Sequence, residues 1–157
     1  MERRSDLSLQ FEACDATSVL EMRRLIDDVK EPLGGCFLMT LVLSDGLFTS
    51  QTEDSIRRVV DAKWGVLKTL DTVAPIQTLD FCVSFSSVSA LFGNPGQSNY
   101  AMANTIVDGY LARHKNAFSI SVPSISHLGY FARYHGARDS NGKLVTLSPD
   151  GKLFATT

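Results

Sequence analysis

The chain has 157 residues, room for one domain with a sizeable core, and its 44% hydrophobic and 20% charged side chains exclude a disordered or fibrous class. Fifteen basic against seventeen acidic residues give a net charge of −2, and no basic run is longer than two, which argues against nucleic-acid or anionic-membrane partners. No stretch approaches the roughly 20 apolar residues of a membrane span and MERRSDLSLQFEACD holds no signal-peptide core, so a cytoplasmic location is expected.

In chain order, residues 7 to 13, LSLQFEA, alternate apolar and polar as a half-buried strand does. Asp15 with Thr17 or Ser18 then offers a cap for the helical pattern VLEMRRLIDDV. Residues 35 to 43, GCFLMTLVL, form an unbroken apolar run between glycines and Asp45, suited to a strand buried on both faces of a parallel sheet. Behind a Ser50 or Thr52 cap, Ile56, Val59, Val60, Trp64, Val66, Leu67 and Leu70 recur at helical spacing and predict the longest helix. LDFCVSFSS reads as a third buried strand, SNYAMANTIVDGYLARH as a helix, and AFSISVPSI as a fourth strand ending at Pro123. Beyond Gly129 the sequence is rich in Gly, Asp, Asn and Ser and reads as loop with a short helical end. Alternation of strand and helix predicts an open α/β sheet with right-handed crossovers, in a single domain over 1–157 with an irregular tail from about 130.

Cys14, Cys36 and Cys82 have neither zinc-site spacing nor the even count of a disulfide framework, and read as small buried thiols in a reducing compartment. No metal site is expected.

Chemistry in such sheets gathers at the carboxyl ends of the strands, which here means Ser86 and Ser87 in FSSVSALFGNPGQSNYAMAN. A serine there is ordinarily only the end of a strand. Tyr100 and Asn104, one helical turn apart, are by themselves an ordinary packing pair. Lys63 in DAKWG reads on its own as a solvated helix face.

Taken together, the strand-end hydroxyl, the Gly-Asn-Pro-Gly loop, and the tyrosine and asparagine of the next helix resemble the active-site segment of polyketide synthase ketoreductase domains. These belong to the short-chain dehydrogenase/reductase superfamily, and FSSVSALFGNPGQSNYAMANTIVDGYLARH is most similar to the fungal reducing type. GGCFLMTLVLSDGLFTSQTEDSIRRVVDAKWGVLKTL is similar to the family's preceding strand, loop and lysine-bearing helix, and VPSI with HLGY to the segment flanking the nicotinamide.

The resemblance implies NADPH-dependent reduction of a β-ketoacyl thioester held on an acyl carrier protein, beside the other domains of a polyketide synthase. It also implies a partial Rossmann-like parallel sheet with helices on both faces. Tyr100 would donate the proton, Ser87 would hydrogen-bond the carbonyl oxygen, Lys63 would tune Tyr100, and Asn104 would hold a water relay. Ser86 is the adjacent alternative, but the family's spacing favours Ser87. Most of the superfamily places the lysine four residues after the tyrosine. The ketoreductase branch exchanges lysine and asparagine, as Lys63 and Asn104 do here. These residue types suit carbonyl reduction, because a phenol ordinarily ionises near pH 10 and a nearby ammonium stabilises its phenolate.

Asp15 in CDATS matches an acidic residue that approaches the adenine ring, and a plain helix cap accounts for it equally well. Pro123 and Ile125 fall in the nicotinamide-flanking segment. Asp45 lies in a loop linked in some members to stereochemical type, but with Ser44 beside it the product's handedness is not readable. His114, His127 and His135 match no catalytic position.

No G-x-G-x-x-G turn for the dinucleotide pyrophosphate occurs in the sequence. The resemblance therefore starts at the family's third strand, as the C-terminal two-thirds of an N-terminally truncated catalytic domain lacking the first βαβα portion. The chain alone is expected to be inactive, to expose a strand edge and apolar surface, and to be poorly soluble or paired with another chain. The alternative reading is a non-catalytic remnant or interaction subdomain. A hydrolase using Ser86 or Ser87 is disfavoured, because no G-x-S-x-G elbow surrounds either.

Overall fold

Three parallel strands organise the first of the two units into which the chain divides, Met1–Val122 and Pro123–Thr157. The computed structural model describes residues 8–123 and the backbone of 137–138, 144–147 and 153–155.

The first helix, α1 (Val19–Asp27), is capped by Ser18, whose side chain accepts from the Glu21 backbone N–H. The Glu21 carboxylate in turn accepts from the Asp15 N–H at 2.8 Å. The alternation over 7 to 13 does not produce a strand among its described residues: 8–15 follow an irregular path, with Leu9 and Phe11 exposed. Alternation records which residues could share a face, but a strand also needs a ladder partner, and none pairs with this stretch among the described residues.

Strand β1 is Gly35–Leu38, shorter than the apolar run that predicted it. Met39, Leu41 and Val42 lie in the following loop and are exposed, so the run is not a strand buried on both faces. The predicted long helix comes in three pieces: α2 (Glu53–Val60), a π-helical turn (Asp61–Gly65) and α3 (Val66–Val73). Thr52 caps α2 through a reciprocal box with Ser55. In the π turn the Val66 N–H reaches back five residues to the Asp61 carbonyl.

Strand β2 (Phe81–Ser87) leads through a short helix, α4 (Ser89–Phe92), to α5 (Ser98–Leu111) and β3 (Ala117–Val122). The sheet order is β1-β2-β3, all parallel, with Cys36 opposite Cys82 and Ser87 opposite Val122. One face packs on α3 and α5: Leu38, Cys82 and Ala117 meet Leu67, Leu70, Val107 and Leu111 in the core. Strand alternation puts Phe37, Phe118 and Ile120 on the other face, where they stand 59%, 54% and 42% exposed.

Of the cysteines, Cys82 is buried and Cys36 half-buried, whereas Cys14 is exposed, contrary to the expectation of three buried thiols. Burial pushes the Cys82 thiol up to about 11 and raises that of Cys36.

In the second unit, the segment that reads as loop contains a small antiparallel sheet of β4 (Ala137–Arg138), β5 (Leu144–Leu147) and β6 (Leu153–Ala155), with β5 in the middle. The Gly, Asn and Ser residues that suggested loop lie between the strands. Among the described residues no helix is long and apolar enough to cross a membrane.

Candidate active site

The site forms where β2 ends. Neighbouring residues of a strand point to opposite faces, so Ser86 and Ser87 cannot do the same work. Ser86 is buried and donates its hydroxyl hydrogen to Asp108 Oδ2 of α5 at 2.7 Å. Ser87 Oγ accepts from the Ser89 N–H at 3.1 Å, an ST-type turn that leaves its own hydroxyl hydrogen available.

The loop that follows reverses the chain with Pro95 and Gly96 at the centre of a turn closed by Gln97 N–H donating to the Asn94 carbonyl at 3.0 Å. Gly96 has φ +79 and Gly93 φ +73, left-handed positions that explain glycine at both ends of the GNPG stretch. This places the start of α5 beside β2, with Tyr100 half-buried in its first turn.

A polar web fixes that first turn. Asn99 is 2% exposed; its Oδ1 accepts from the Tyr100 N–H at 2.8 Å, and its Nδ2 donates to the Ser44 carbonyl at 2.8 Å and to Gln51 Oε1 at 3.1 Å. Gln51 Nε2 donates to the Ser44 and Gly46 carbonyls, and the Gly46 N–H to the Gly96 carbonyl at 2.8 Å. Gln97 Nε2 donates to Asp45 Oδ2 at 2.9 Å. The loop after β1 and the loop before α5 are thus laced together. Asn99 and Gln51 gave no signal in the sequence, because buried amides that join two loops have no periodicity.

Lys63 arrives from the π turn. Although it reads alone as solvated, it is 5% exposed; its Nζ donates to the Phe85 carbonyl at 2.9 Å and stands 5.8 Å from the centre of the Tyr100 ring. The widened turn carries a charged side chain on the inward face, between Val59 and Leu67, both fully buried. Burial pushes the ammonium below the ordinary lysine range, and the Asp108 carboxylate works in the opposite direction.

Asn104 is 1% exposed and donates Nδ2 to the Tyr100 carbonyl at 2.8 Å, while its Oδ1 is buried without a partner among the described residues. A buried amide oxygen with nothing to accept ordinarily marks a place for water or a ligand group. Lys63 and Tyr100 therefore meet beside β2, with Asn104 one turn further along α5 and Ser87 at the last position of the strand. The reacting end of a nicotinamide cofactor fits this donor set: a half-exposed phenol, a free hydroxyl, a buried ammonium and an orphaned acceptor.

The outlying residues do not join them. Asp15 is exposed, and its Oδ1 is engaged by the Thr17 N–H at 2.9 Å and the Thr17 hydroxyl at 2.6 Å, bonds that lower its pKa. Its local role is a turn ahead of the Ser18 cap. Pro123 follows β3 and is exposed; Ile125, His127 and His135 lie outside the described residues. A cavity of about 600 Å³ opens against α1 and β1, lined among others by Glu12, Cys14, Met22, Ile26 and Cys36, and touches none of Lys63, Ser87, Tyr100 and Asn104. Among the described residues there is no cluster of metal-ligating side chains.

Comparison with known proteins identifies the family of the chain. The family model described as "KR domain" matches residues 1–129. The chain is 39% identical over 127 residues to the highly reducing polyketide synthase stpks1 of Strobilurus tenacellus, covering 80% of this chain and 4% of that protein. It is 32% identical over 156 residues to the hybrid PKS-NRPS synthetase iliA of Neonectria sp. (strain DH2), covering 94% of this chain and 4% of the other. Among solved structures, the PlmKR1 ketoreductase from phoslactomycin biosynthesis in Streptomyces sp. HK803 superposes with a TM-score of 0.65 at 27% identity, over 70% of this chain and 27% of that one. A ketoreductase domain from the bacillaene assembly line gives 0.63 at 29% identity, over 73% and 31%.

Proposed function

The chain belongs to the KR domain family, ketoreductases of the short-chain dehydrogenase/reductase type that use a nicotinamide cofactor, and from that premise we propose that it supplies the proton-donating half of a β-ketoacyl reductase site. The observation that carries this reading is the burial of Lys63, which crosses from another helix to within 5.8 Å of the Tyr100 ring. Taking an ammonium out of water costs free energy, and a site that uses its charge gives that burial a reason.

In this reading the substrate carbonyl sits between Ser87 and Tyr100. The Ser87 hydroxyl donates to the carbonyl oxygen and favours the charge that develops there. Tyr100 passes its phenolic proton to that oxygen. The Lys63 ammonium stabilises the phenolate left behind, from a low-dielectric position where one charge acts strongly. The orphaned Asn104 Oδ1 holds a water through which the proton on Tyr100 is replaced. The bound cofactor, NADPH, supplies hydride to the carbonyl carbon. Asp15 would lie toward its adenine, and Pro123 with Ile125 toward its nicotinamide. The relatives named above are a polyketide synthase and a PKS-NRPS hybrid, and in this reading the substrate is a β-ketoacyl thioester on an acyl carrier protein and the partners are other synthase domains.

The test is to put this chain in place of the matching part of the PlmKR1 ketoreductase, which brings its own cofactor-binding portion. Reduction of a β-ketoacyl N-acetylcysteamine thioester is then followed with NADPH and with NADH. The expected result is turnover that prefers NADPH and falls about 1,000-fold in Tyr100→Phe. A folded chimera that binds NADPH but reduces nothing would sink this reading. It would favour instead a non-catalytic remnant or interaction subdomain.

A further inference from the structure

Asp108 takes no part in the reaction as proposed, yet it lies on the same stripe of α5 as the two residues that do. Tyr100, Asn104 and Asp108 are spaced at i, i+4 and i+8. Its two oxygens are unlike. Oδ2 accepts from the buried Ser86 hydroxyl at 2.7 Å, while Oδ1 is buried and has no hydrogen-bond partner among the described residues.

Lys63 and Asp108 also grip adjacent points of one strand. Lys63 Nζ donates to the Phe85 carbonyl, the C=O of the peptide that joins Phe85 to Ser86, and Asp108 holds the Ser86 side chain. The two charges are therefore fixed on neighbouring groups without touching; the direct ion pair found among the described residues is the exposed Arg57–Glu53 pair. A carboxylate oxygen out of water with no donor costs free energy unless a positive charge nearby compensates, and so does a buried ammonium.

We propose that Asp108, pinned by Ser86, is a positioning residue: the buried counter-charge that keeps the Lys63 ammonium protonated and held under Tyr100. The surroundings of Lys63 single out this carboxylate. Its own turn contributes Asp61, which is exposed; β2 contributes the uncharged Phe85 carbonyl and Ser86; α5 contributes Tyr100 and Asp108. Of these, Asp108 is the group whose charge raises the pKa of Lys63 against the effect of burial. The part that Lys63 plays toward Tyr100 rests on the reductase reading, whereas the counter-charge does not.

The experiment reads Lys63 directly. The chain is labelled with carbon-13 at lysine Cε, the Lys63 resonance is assigned by its loss in Lys63→Arg, and its chemical shift is followed against pH without cofactor or substrate. Asp108→Asn keeps an acceptor for Ser86 and removes the charge; the Lys63 midpoint should fall by about one pH unit. Asp108→Glu should restore most of it. If Asp108→Asn does not fold, Ser86→Ala serves instead: it leaves the charge but frees the carboxylate, and should lower the midpoint by a smaller amount. A Lys63 midpoint unmoved in Asp108→Asn, or in Ser86→Ala where that variant stands in, overturns the assignment. Turnover in the chimera with an unmoved midpoint would remove the role of Asp108 alone, and a moved midpoint without turnover would remove the reductase reading alone.

Discussion

Lys63 is a charge in a place that opposes charge, and this has a measurable consequence for stability. Its folded pKa lies below the unfolded value of 10.5, because burial disfavours the ammonium more than Asp108 restores it. Between the folded pKa and 10.5 the unfolded chain binds more protons than the folded one, so in that window stability rises with pH. Wild type should therefore gain stability relative to Lys63→Met as pH rises through that window toward 10.5, read from urea midpoints of the two proteins at each pH. An unchanged difference would mean that Lys63 is not desolvated. At this scale the one-turn spacing of Tyr100 and Asn104 on α5 was legible in the sequence, while a role for the pair came only from the family resemblance. Ser87 was separable from Ser86 only through the family's spacing, and Asp108 hydrogen-bonding to Ser86 supplies the physical reason. The interior position of Lys63 was not legible from its neighbours Asp61, Ala62 and Trp64, since what buries it is contact with β2 and α5.

Among the elements, α5 is tied at both ends by side chains. Its first turn is held by Asn99, and its last by Tyr110, whose hydroxyl donates to Asp71 of α3 while its ring packs edge-on against Trp64 at 5.0 Å. The other oxygen of Asp71 accepts from the Ile76 N–H at 2.8 Å, so one carboxylate joins α5 to the turn after α3. Tyr110→Phe keeps the ring but removes this donor from a carboxylate, and should cost about 1–3 kcal/mol in urea denaturation with the m-value unchanged. A loss under about 0.3 kcal/mol would show that the bond is exchanged freely for water. The helices were largely readable because periodicity and caps are local properties: Thr52 and Ser18 both act as expected of their type. The break into α2, π turn and α3 was not, since one extra residue in a helix barely alters an apolar pattern of that length. Strand prediction failed at 7 to 13 and overran after Leu38 because pairing, the deciding term, is not a local property.

For the molecule, the sheet of Met1–Val122 is covered on one face, and on the other Phe37, Phe118 and Ile120 form an apolar strip running over β1 and β3. Burying a phenylalanine is worth roughly 1.5–3 kcal/mol, so copies of the chain should associate through such surface as concentration rises. The double variant Phe37→Glu, Phe118→Lys should remain monomeric in light scattering at concentrations where wild type does not; equal association would place the sticky surface elsewhere. The expectation of exposed apolar surface was readable in advance from the family's strand order, while its location required the register of β1, β2 and β3. The π turn has a consequence of another kind. Removing any one of its residues other than Lys63 would restore ordinary helical winding. It would leave α2 and α3 in nearly the same relative orientation, since the wider turn absorbs the extra residue, but it would change the winding that sets Lys63 on the inward face. Loss of a single codon there should therefore redirect Lys63 while leaving Lys63, Ser87, Tyr100 and Asn104 all in the gene. Among descendants of such a chain, inactivity would then be visible as a gap in a helix before it appeared as a substitution.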